Sequence, residues 1–433
     1  MRPFLLIVLF CLLIKPPILA ATPTNMTIVY SGNLDGELEP CGCTRDGNLG
    51  GIKRRGTILD ELRKTLPQLF LISSGGLIMS RAATDRLTSE YILKGFAALK
   101  YDAIGVQWQD LSYGTEFIQS ARLPWVASNW QGDQFSGYKL IKHGNRQLAF
   151  FSWLDPAAES KILPRTSAFQ RRTVANTGAL KYNLAKLKSK NVVTVLATTL
   201  NYETALTTMP LNHIDILIIK SAYEKYAKPR MVDHTLVLEP GSRGLRLGQL
   251  DITLGEDNHI KSFKHRQIHM PPSVIDSPRM NEWYAEYSDR VKKAYLRSAK
   301  IRKTVQSGKR NYVGAGACKA CHASAYTIWS QSQHAKAFDS LTLVKKAFDP
   351  NCIICHTVGF NKEGGYIDNQ VTAYLTDVQC ESCHGAARKH ILSNGKIPPE
   401  HHQWSKQKIC NQCHTQKHSP RFKIDSYWQE ILH

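Results

Sequence analysis

Cys318-Lys319-Ala320-Cys321-His322 is the first of four Cys-x-x-Cys-His stretches that decide how the last quarter of this chain is read. The others are Cys352-Ile353-Ile354-Cys355-His356, Cys380-Glu381-Ser382-Cys383-His384 and Cys410-Asn411-Gln412-Cys413-His414. In such a unit two thiols add across the vinyl groups of a porphyrin while the adjacent imidazole reaches its iron, so each copy specifies one covalently attached c-type haem. Four Cys-x-x-Cys pairs can also supply four-thiolate zinc sites, which use the same spacing. Such sites do not need a His after every second Cys, and here it follows all four times. The motifs therefore predict four haems and their iron, with His322, His356, His384 and His414 as proximal ligands.

A low-spin, electron-carrying haem needs a second axial donor, and a haem with one imidazole is open to a small molecule. The histidines left over near the motifs are His334, His390, His401, His402 and His418. His433 is ranked last, because the end of a chain frays. The spacing does not assign any of them to a particular iron.

Working outward, the first residues read as an export signal: Arg2, the apolar run Phe4–Ile14, and small residues around Ala20-Ala21. That run is too short to span a bilayer comfortably. The mature protein is therefore expected in the periplasm or outside the cell, where cysteines meet oxidising conditions. Of 11 Cys, eight lie in the haem motifs and Cys11 in the signal, which leaves Cys41 and Cys43. A redox thiol pair, a soft-metal site and a local disulfide are all compatible with Cys41-Gly42-Cys43.

The formal charge is +21 over 433 residues, and two propionates on each of four haems bring it to about +13. A basic surface can serve nucleic acid, but no nucleic-acid module is recognisable; acidic redox proteins or peripheral contact with a membrane surface are the expected partners. The oligomeric state is not readable. Before residue 275 short β-branched runs (Thr27–Tyr30, Leu69–Ser73, Trp125–Ala127, Leu148–Trp153, Val192–Ala197, Ile214–Ile219, Thr235–Leu238) alternate with helix-length segments such as Gly56–Leu66 and Thr177–Lys188. That pattern predicts a layered α/β domain. Asn281–Val305, rich in Tyr, Lys and Arg, is predicted to be a helix with a solvated basic face (Arg290, Lys292, Lys293, Arg297, Lys300, Arg302, Lys303). Beyond Gly308 loop residues dominate, as suits a domain whose core is made largely of porphyrin.

The first domain resembles the calcineurin-like metallophosphatases of the 5'-nucleotidase branch. The resemblance is carried by Ser31-Gly32-Asn33-Leu34-Asp35-Gly36, Gly50-Gly51-Ile52-Lys53-Arg54, Tyr101-Asp102-Ala103-Ile104-Gly105, Leu123–Asn129 and Pro240–Gly248. It implies an α/β/β/α sandwich, but not that family's chemistry. Asn33 and Asp35 stand where its first metal-binding Asp and His belong, Ser73-Ser74-Gly75-Gly76 where a bridging Asp belongs, and Gly105-Val106-Gln107-Trp108 where an Asn-His pair belongs. Lys220-Ser221-Ala222-Tyr223 replaces its closing Gly-His-x-His. A dinuclear site needs several such ligands at once, so no phosphatase or nucleotidase activity is expected, and no catalytic residue is assigned.

The C-terminal part resembles the tetrahaem cytochrome c554 family through Tyr312-Val313-Gly314, the first motif, Trp329–Ala337, Cys352–Gly359, Val378–Gly385 and His390. It implies a mostly helical, loop-rich domain that transfers electrons through closely packed haems, in some relatives beside a haem left open to ligands. The expected organisation is a signal over 1–21, an inactive metallophosphatase-like domain over 22–275, a basic helical connector over 276–310 and a tetrahaem domain over 311–433. The expected function is electron relay between redox proteins, with the first domain as a docking platform. The alternative is a multihaem oxidoreductase acting on a small nitrogen or sulfur compound at an open haem. A further possibility, by analogy with thiosulfate-oxidising hydrolases, is that the first domain binds a nucleotide or sulfur ester without hydrolysing it and passes the chemistry to Cys41 and Cys43.

Overall fold

A computed structural model describes residues 24–40, 48–80, 85–158, 172–220, 226–255, 259–415, 418–419 and 421–433. The candidate signal, Cys41, Cys43 and residues 221–223 lie outside these. Strand β1 (Thr24–Ser31) runs parallel to β2 (Phe70–Ser73), which is followed by β3 (Ala103–Gly105) and β4 (Trp125–Val126). On its other side β1 pairs antiparallel with a later strand, Arg246–Leu254, which pairs in turn with Ile260–His269. These close one six-stranded sheet.

Strands β5 (Lys139–His143), β6 (Arg146–Trp153), β7 (Val193–Thr198), β8 (Ile216–Ile219), β9 (Ala227–Val232) and β10 (Thr235–Glu239) form the second, in the order β5-β6-β7-β8-β10-β9. The two strands that complete the first sheet are β11 (Arg246–Leu254) and β12 (Ile260–His269).

The pleat sorts alternate side chains to opposite faces. From β1, Ile28 and Tyr30 point between the sheets, where they meet Phe70, Ile72, Leu148, Phe150, Val193 and Val195. Val29 points the other way, onto α1 (Ile52–Thr65) and α2 (Asp85–Leu99) through Ile52, Leu59, Ile92 and Phe96. On the far side of the second sheet, Phe151 and Leu196 bury against Leu180, Leu184 and Ala205, which lie on Gly178–Lys188 and Tyr202–Thr208. The result is the expected four-layer α/β/β/α sandwich. At roughly 1.5–3 kcal/mol for each buried aliphatic or Phe side chain, these three apolar layers hold the domain together.

The helix Asn281–Val305 forms over the expected residues, but its role differs from a solvated connector. Trp283, Tyr284 and Tyr287 join the core around α1 and α2, while Tyr295 enters a separate core with Tyr312, Phe338, Ile353, Val358, Phe360 and Tyr366. One helix thus completes two cores. Its basic residues are divided accordingly. Arg290 pairs with Glu90 at 2.8 Å, whereas Arg302 is half-buried, lies over the Phe360 ring and donates to the Ile367 carbonyl at 3.1 Å. Lys292, Arg297, Lys300 and Lys303 remain exposed. Aromatic residues spaced along a charged helix were the unread signal.

The same junction carries a charged node. Lys346 lies 2.6 Å from Glu39 and 3.7 Å from Asp349, and Tyr284 donates its hydroxyl to Glu39. Burial opposes the Lys346 charge, but Glu39 and Asp349 outweigh it and hold the ammonium above its ordinary range. Asp349 also caps the Pro350–His356 helix through Asn351 N–H at 3.0 Å. Among the described residues, no helix is long and apolar enough to cross a membrane.

Candidate haem-binding site and the polar cluster of the first domain

Each motif occupies a helical turn, which brings its two thiols and its imidazole to neighbouring positions. His322 N–H bonds the Cys318 carbonyl and His414 N–H the Cys410 carbonyl, both at 2.9 Å. Pro350 at the first helical position and the Asp349 cap start the second motif's helix, and a reciprocal box between Gln379 and Ser382 starts the third. Gly385 ends the third at φ 82°, where an added Cβ would meet Glu400 at 2.7 Å. The eight motif cysteines are not disulfide-bonded. Cys318 lies in hydrogen-bonding contact with Cys380, and Cys355 with Cys413, so the first motif adjoins the third and the second adjoins the fourth.

Glu381, inside the third motif, organises this region. It is 2% exposed and accepts N–H bonds from Val313 (2.9 Å), Gly314 (2.8 Å) and Ala387 (2.9 Å). One carboxylate thus ties the approach to the first motif and the segment leading to His390 onto the third.

The imidazoles fall into facing pairs. The ring centres of His322 and His390 are 6.1 Å apart with planes 23° from parallel, and those of His334 and His414 are 6.1 Å apart. His384 faces His433 at 5.9 Å. Two imidazoles bound at ~2 Å to opposite sides of one metal ion have ring centres about 6 Å apart, so these separations fit a shared iron. Ligand imidazoles are held by the nitrogen that does not bind metal. Here His390 Nδ1 donates to the Ile397 carbonyl (2.9 Å), His433 Nδ1 to the Ile431 carbonyl (2.8 Å) and His356 Nδ1 to the Ala337 carbonyl (2.6 Å). Burial lowers the pKa values of His334, His384 and His414, and neighbouring imidazoles add to the effect on the last two. Neutral rings are the metal-binding form.

No described imidazole stands opposite His356. Of the other candidates, His401 is buried, stacks on Trp404 with ring centres 3.5 Å apart and donates to the Cys383 carbonyl at 3.2 Å. His402 is exposed and bonds the Pro399 carbonyl within its own turn at 3.0 Å. Neither of these two faces a motif imidazole among the described residues. His433, ranked last from sequence, does. The signal missed was Ile424–Gln429, a short helix that holds this end of the fold in place.

Thiol pairs, imidazoles in facing positions and a cleft lined by Trp329, His334, Cys380, Cys383, His384, Ile431 and His433 form a donor set that fits haem. Cys318/Cys321, Cys352/Cys355, Cys380/Cys383 and Cys410/Cys413 would carry the thioethers.

In the first domain the loops after β1, β2 and β3 converge as the motif positions require. Their side chains satisfy one another. Asn33 Nδ2 donates to Gln107 Oε1 at 3.1 Å, and Gln107 Nε2 donates back to Asn33 Oδ1 at 2.8 Å. Asp35 accepts from Gln109 Nε2 at 3.0 Å and from Arg243 N–H at 3.2 Å. Gly76, at φ 66°, lets the backbone pass so close that an added Cβ would lie 2.8 Å from Asn33. Asp110 accepts N–H bonds from Gly76, Leu77, Ile78 and Gln107 at 2.7–3.3 Å; burial nevertheless raises its pKa to about 6. Among the described residues no group of three or more His, Cys, Asp or Glu side chains is placed to hold a metal ion.

Comparison with known proteins agrees with this division. Residues 317–385 match the family model for cytochrome c554 and c-prime. They include the first three motifs; Cys410–His414 lies beyond the match. Cytochrome c-554 of Nitrosomonas europaea is 35% identical over 92 residues, which is 18% of this chain and 39% of that protein. Among solved structures, a 5'-nucleotidase precursor from Thermus thermophilus superposes with TM-score 0.54 and 15% identity, over 67% of this chain and 61% of that one. A sulfate thiohydrolase from the same organism gives 0.52 and 13%, over 61% and 60%. The chain thus spans about two fifths of the curated relative and three fifths of each structural neighbour, and the latter show fold alone. The molecule joins a domain with the calcineurin-like metallophosphatase fold to a C-terminal segment similar to cytochrome c554, a c-type electron carrier.

Proposed function

We propose that this protein is an exported tetrahaem cytochrome that relays electrons between redox proteins, with a hydrolytically inactive metallophosphatase-like domain as its docking platform. The observation that carries the reading is the facing of imidazoles about 6 Å apart at three of the four motifs. Two axial imidazoles keep iron geometry nearly constant between oxidation states, which favours fast transfer. Haem supplies the one-electron chemistry. The chain's residues attach it and orient it through the carbonyl-anchored histidines.

The Asn33–Gln107 pair supports the loss of hydrolysis, since donors and acceptors at the former metal position are engaged with each other. The basic surface fits acidic redox partners, whose association slows as salt is added. Peripheral contact with an anionic membrane surface fits the same charge.

A second reading is favoured by His356, which has no facing imidazole among the described residues. An iron held there by one imidazole is open to a small nitrogen or sulfur compound, while the other three haems supply or remove electrons. Mass spectrometry of the mature protein, expected to show four haem additions, tests the foundation. An apoprotein mass or zinc in place of iron refutes it. Electron paramagnetic resonance then separates the readings: low-spin signals alone favour the relay, and a high-spin signal with carbon monoxide binding favours the open site.

A further inference from the structure

We infer that the solvent face of the Asn281–Val305 helix is the docking surface for an acidic electron-transfer protein, which it seats beside the first motif. This rests on the electron-relay reading above and deepens it, by naming the surface and the chemistry of the partner.

The aromatic side of the helix is already occupied, because Trp283, Tyr284, Tyr287 and Tyr295 belong to the two cores. What the helix turns outward is cationic. Lys292, Lys300 and Lys303 stand in one row, and Lys293 and Arg297, four residues apart, form the row beside it; all five are exposed. At 1.5 Å per residue the stripe from Lys292 to Lys303 is about 17 Å long. Leu296, 49% exposed, lies in its middle, between Lys292 and Lys300. Ile301 and Val305 are also exposed, but they lie about 140–180° around the helix from Leu296. Asp289 pairs with Lys293 at 2.7 Å. Among the described residues no carboxylate lies within 4 Å of the charged groups of Lys292, Arg297, Lys300 or Lys303.

The stripe leads to the haem domain. Beyond the helix the chain runs through Lys309 and Arg310, where Arg388 is held by its N–H on the Asn311 carbonyl at 3.2 Å and its guanidinium on the Arg310 carbonyl at 3.4 Å. Lys389 and His390 follow, and His390 faces the first motif's His322. A partner on the stripe therefore lies next to a point of electron entry or exit. Four cations without a carboxylate partner, around one apolar side chain, complement an acidic face with a small apolar centre. A patch of this size suits a transient redox encounter, which buries less than about 1,200 Å². An anionic bilayer fits less well, because a helix lying in a membrane interface turns a broad apolar face outward, and here only Leu296 breaks the cationic rows.

The test uses the full haem-loaded protein with a reduced, acidic plant-type ferredoxin as the probe. Stopped-flow absorbance follows the transfer of one electron from its iron–sulfur cluster to one ferric haem. The triple variant Lys292→Glu/Lys300→Glu/Lys303→Glu should slow the second-order rate about tenfold or more at low ionic strength, and the difference should close in about 0.5 M salt. Lys181→Glu/Lys186→Glu/Lys190→Glu changes the net charge equally, at exposed positions on the outer face of the second sheet. It should slow the rate less than about threefold, and both variants should keep four haems by mass. Equal slowing by the two variants, or a rate in the unmodified protein that ignores salt, would overturn the assignment. Loss of binding to phosphatidylserine vesicles in the helix variant, with its ferredoxin rate intact, would give the surface to a membrane instead. Those outcomes leave the relay reading standing; it fails separately, if the unmodified protein lacks haem by mass.

Discussion

Removing the Glu381 carboxylate should be among the most damaging single changes available in the cytochrome half. Its two oxygens accept three backbone N–H groups from Val313, Gly314 and Ala387, all at 2.8–2.9 Å, and the residue is 2% exposed. In Glu381→Ala those donors lose their acceptor in a site where it cannot be replaced from the chain. A buried donor left unsatisfied costs about 1–3 kcal/mol, and water entering the vacated volume offsets part of that, so we expect a loss of about 4 kcal/mol. Glu381→Gln keeps one acceptor oxygen but turns an amide N–H toward a backbone N–H, and should cost roughly half as much. Urea denaturation followed by the haem absorption band measures both, provided the haem count by mass is unchanged. An alanine variant within about 1 kcal/mol of the unmodified protein would refute the view that this carboxylate joins the first and third motifs.

Lys346→Met should leave Glu39 and Asp349 facing each other without their cation, costing about 1–3 kcal/mol, and speed proteolytic cleavage between the two halves relative to the unmodified protein. Tyr295→Ala, which empties a buried position in the C-terminal core, should lower that half's stability by about 3 kcal/mol, while the sandwich unfolds as before. In the sandwich, Asp110 is raised to about 6 by burial, above its unfolded value. The native state therefore binds the extra proton between about pH 4 and pH 6, and stability should fall as pH rises through that window, by a few kcal/mol at most, and level off above it. Denaturation midpoints of Asp110→Asn against pH should lack this slope. Gln107→Ala should destabilise the sandwich by about 2 kcal/mol, because the buried Asn33 Oδ1 loses its donor and Asn33 Nδ2 one of its two acceptors; chemical denaturation of the variant checks it.

The sandwich was legible because its central strands are continuous apolar runs. All seven predicted runs fall in β1, β2, β4, β6, β7, β8 and β10. The runs passed over β3, only three residues long, β11, whose apolar run is interrupted by Gln249 and Asp251, and the edge strands β5, β9 and β12. Ile260–His269 reads Ile-Lys-Ser-Phe-Lys-His-Arg-Gln-Ile-His, and only its nine residue pairs with β11 reveal a strand. Edge strands carry charge to discourage further pairing, so their pattern is that of surface. The haem thiols and proximal imidazoles were legible because their chemistry fixes a local spacing. Which imidazole faces which was not, since His390, His334 and His433 meet their partners by tertiary placement alone. The Asn281–Val305 helix was read by its charges, whereas its position is decided by four aromatic residues on its buried face.

The Asn33–Gln107 pair also limits what this cluster can be turned into. Replacing either side chain alone with a metal-binding residue takes from the other amide a buried donor and acceptor that face it. A metal site built here therefore needs coordinated changes at both positions, in the narrow space that the close approach of Gly76 leaves beside Asn33.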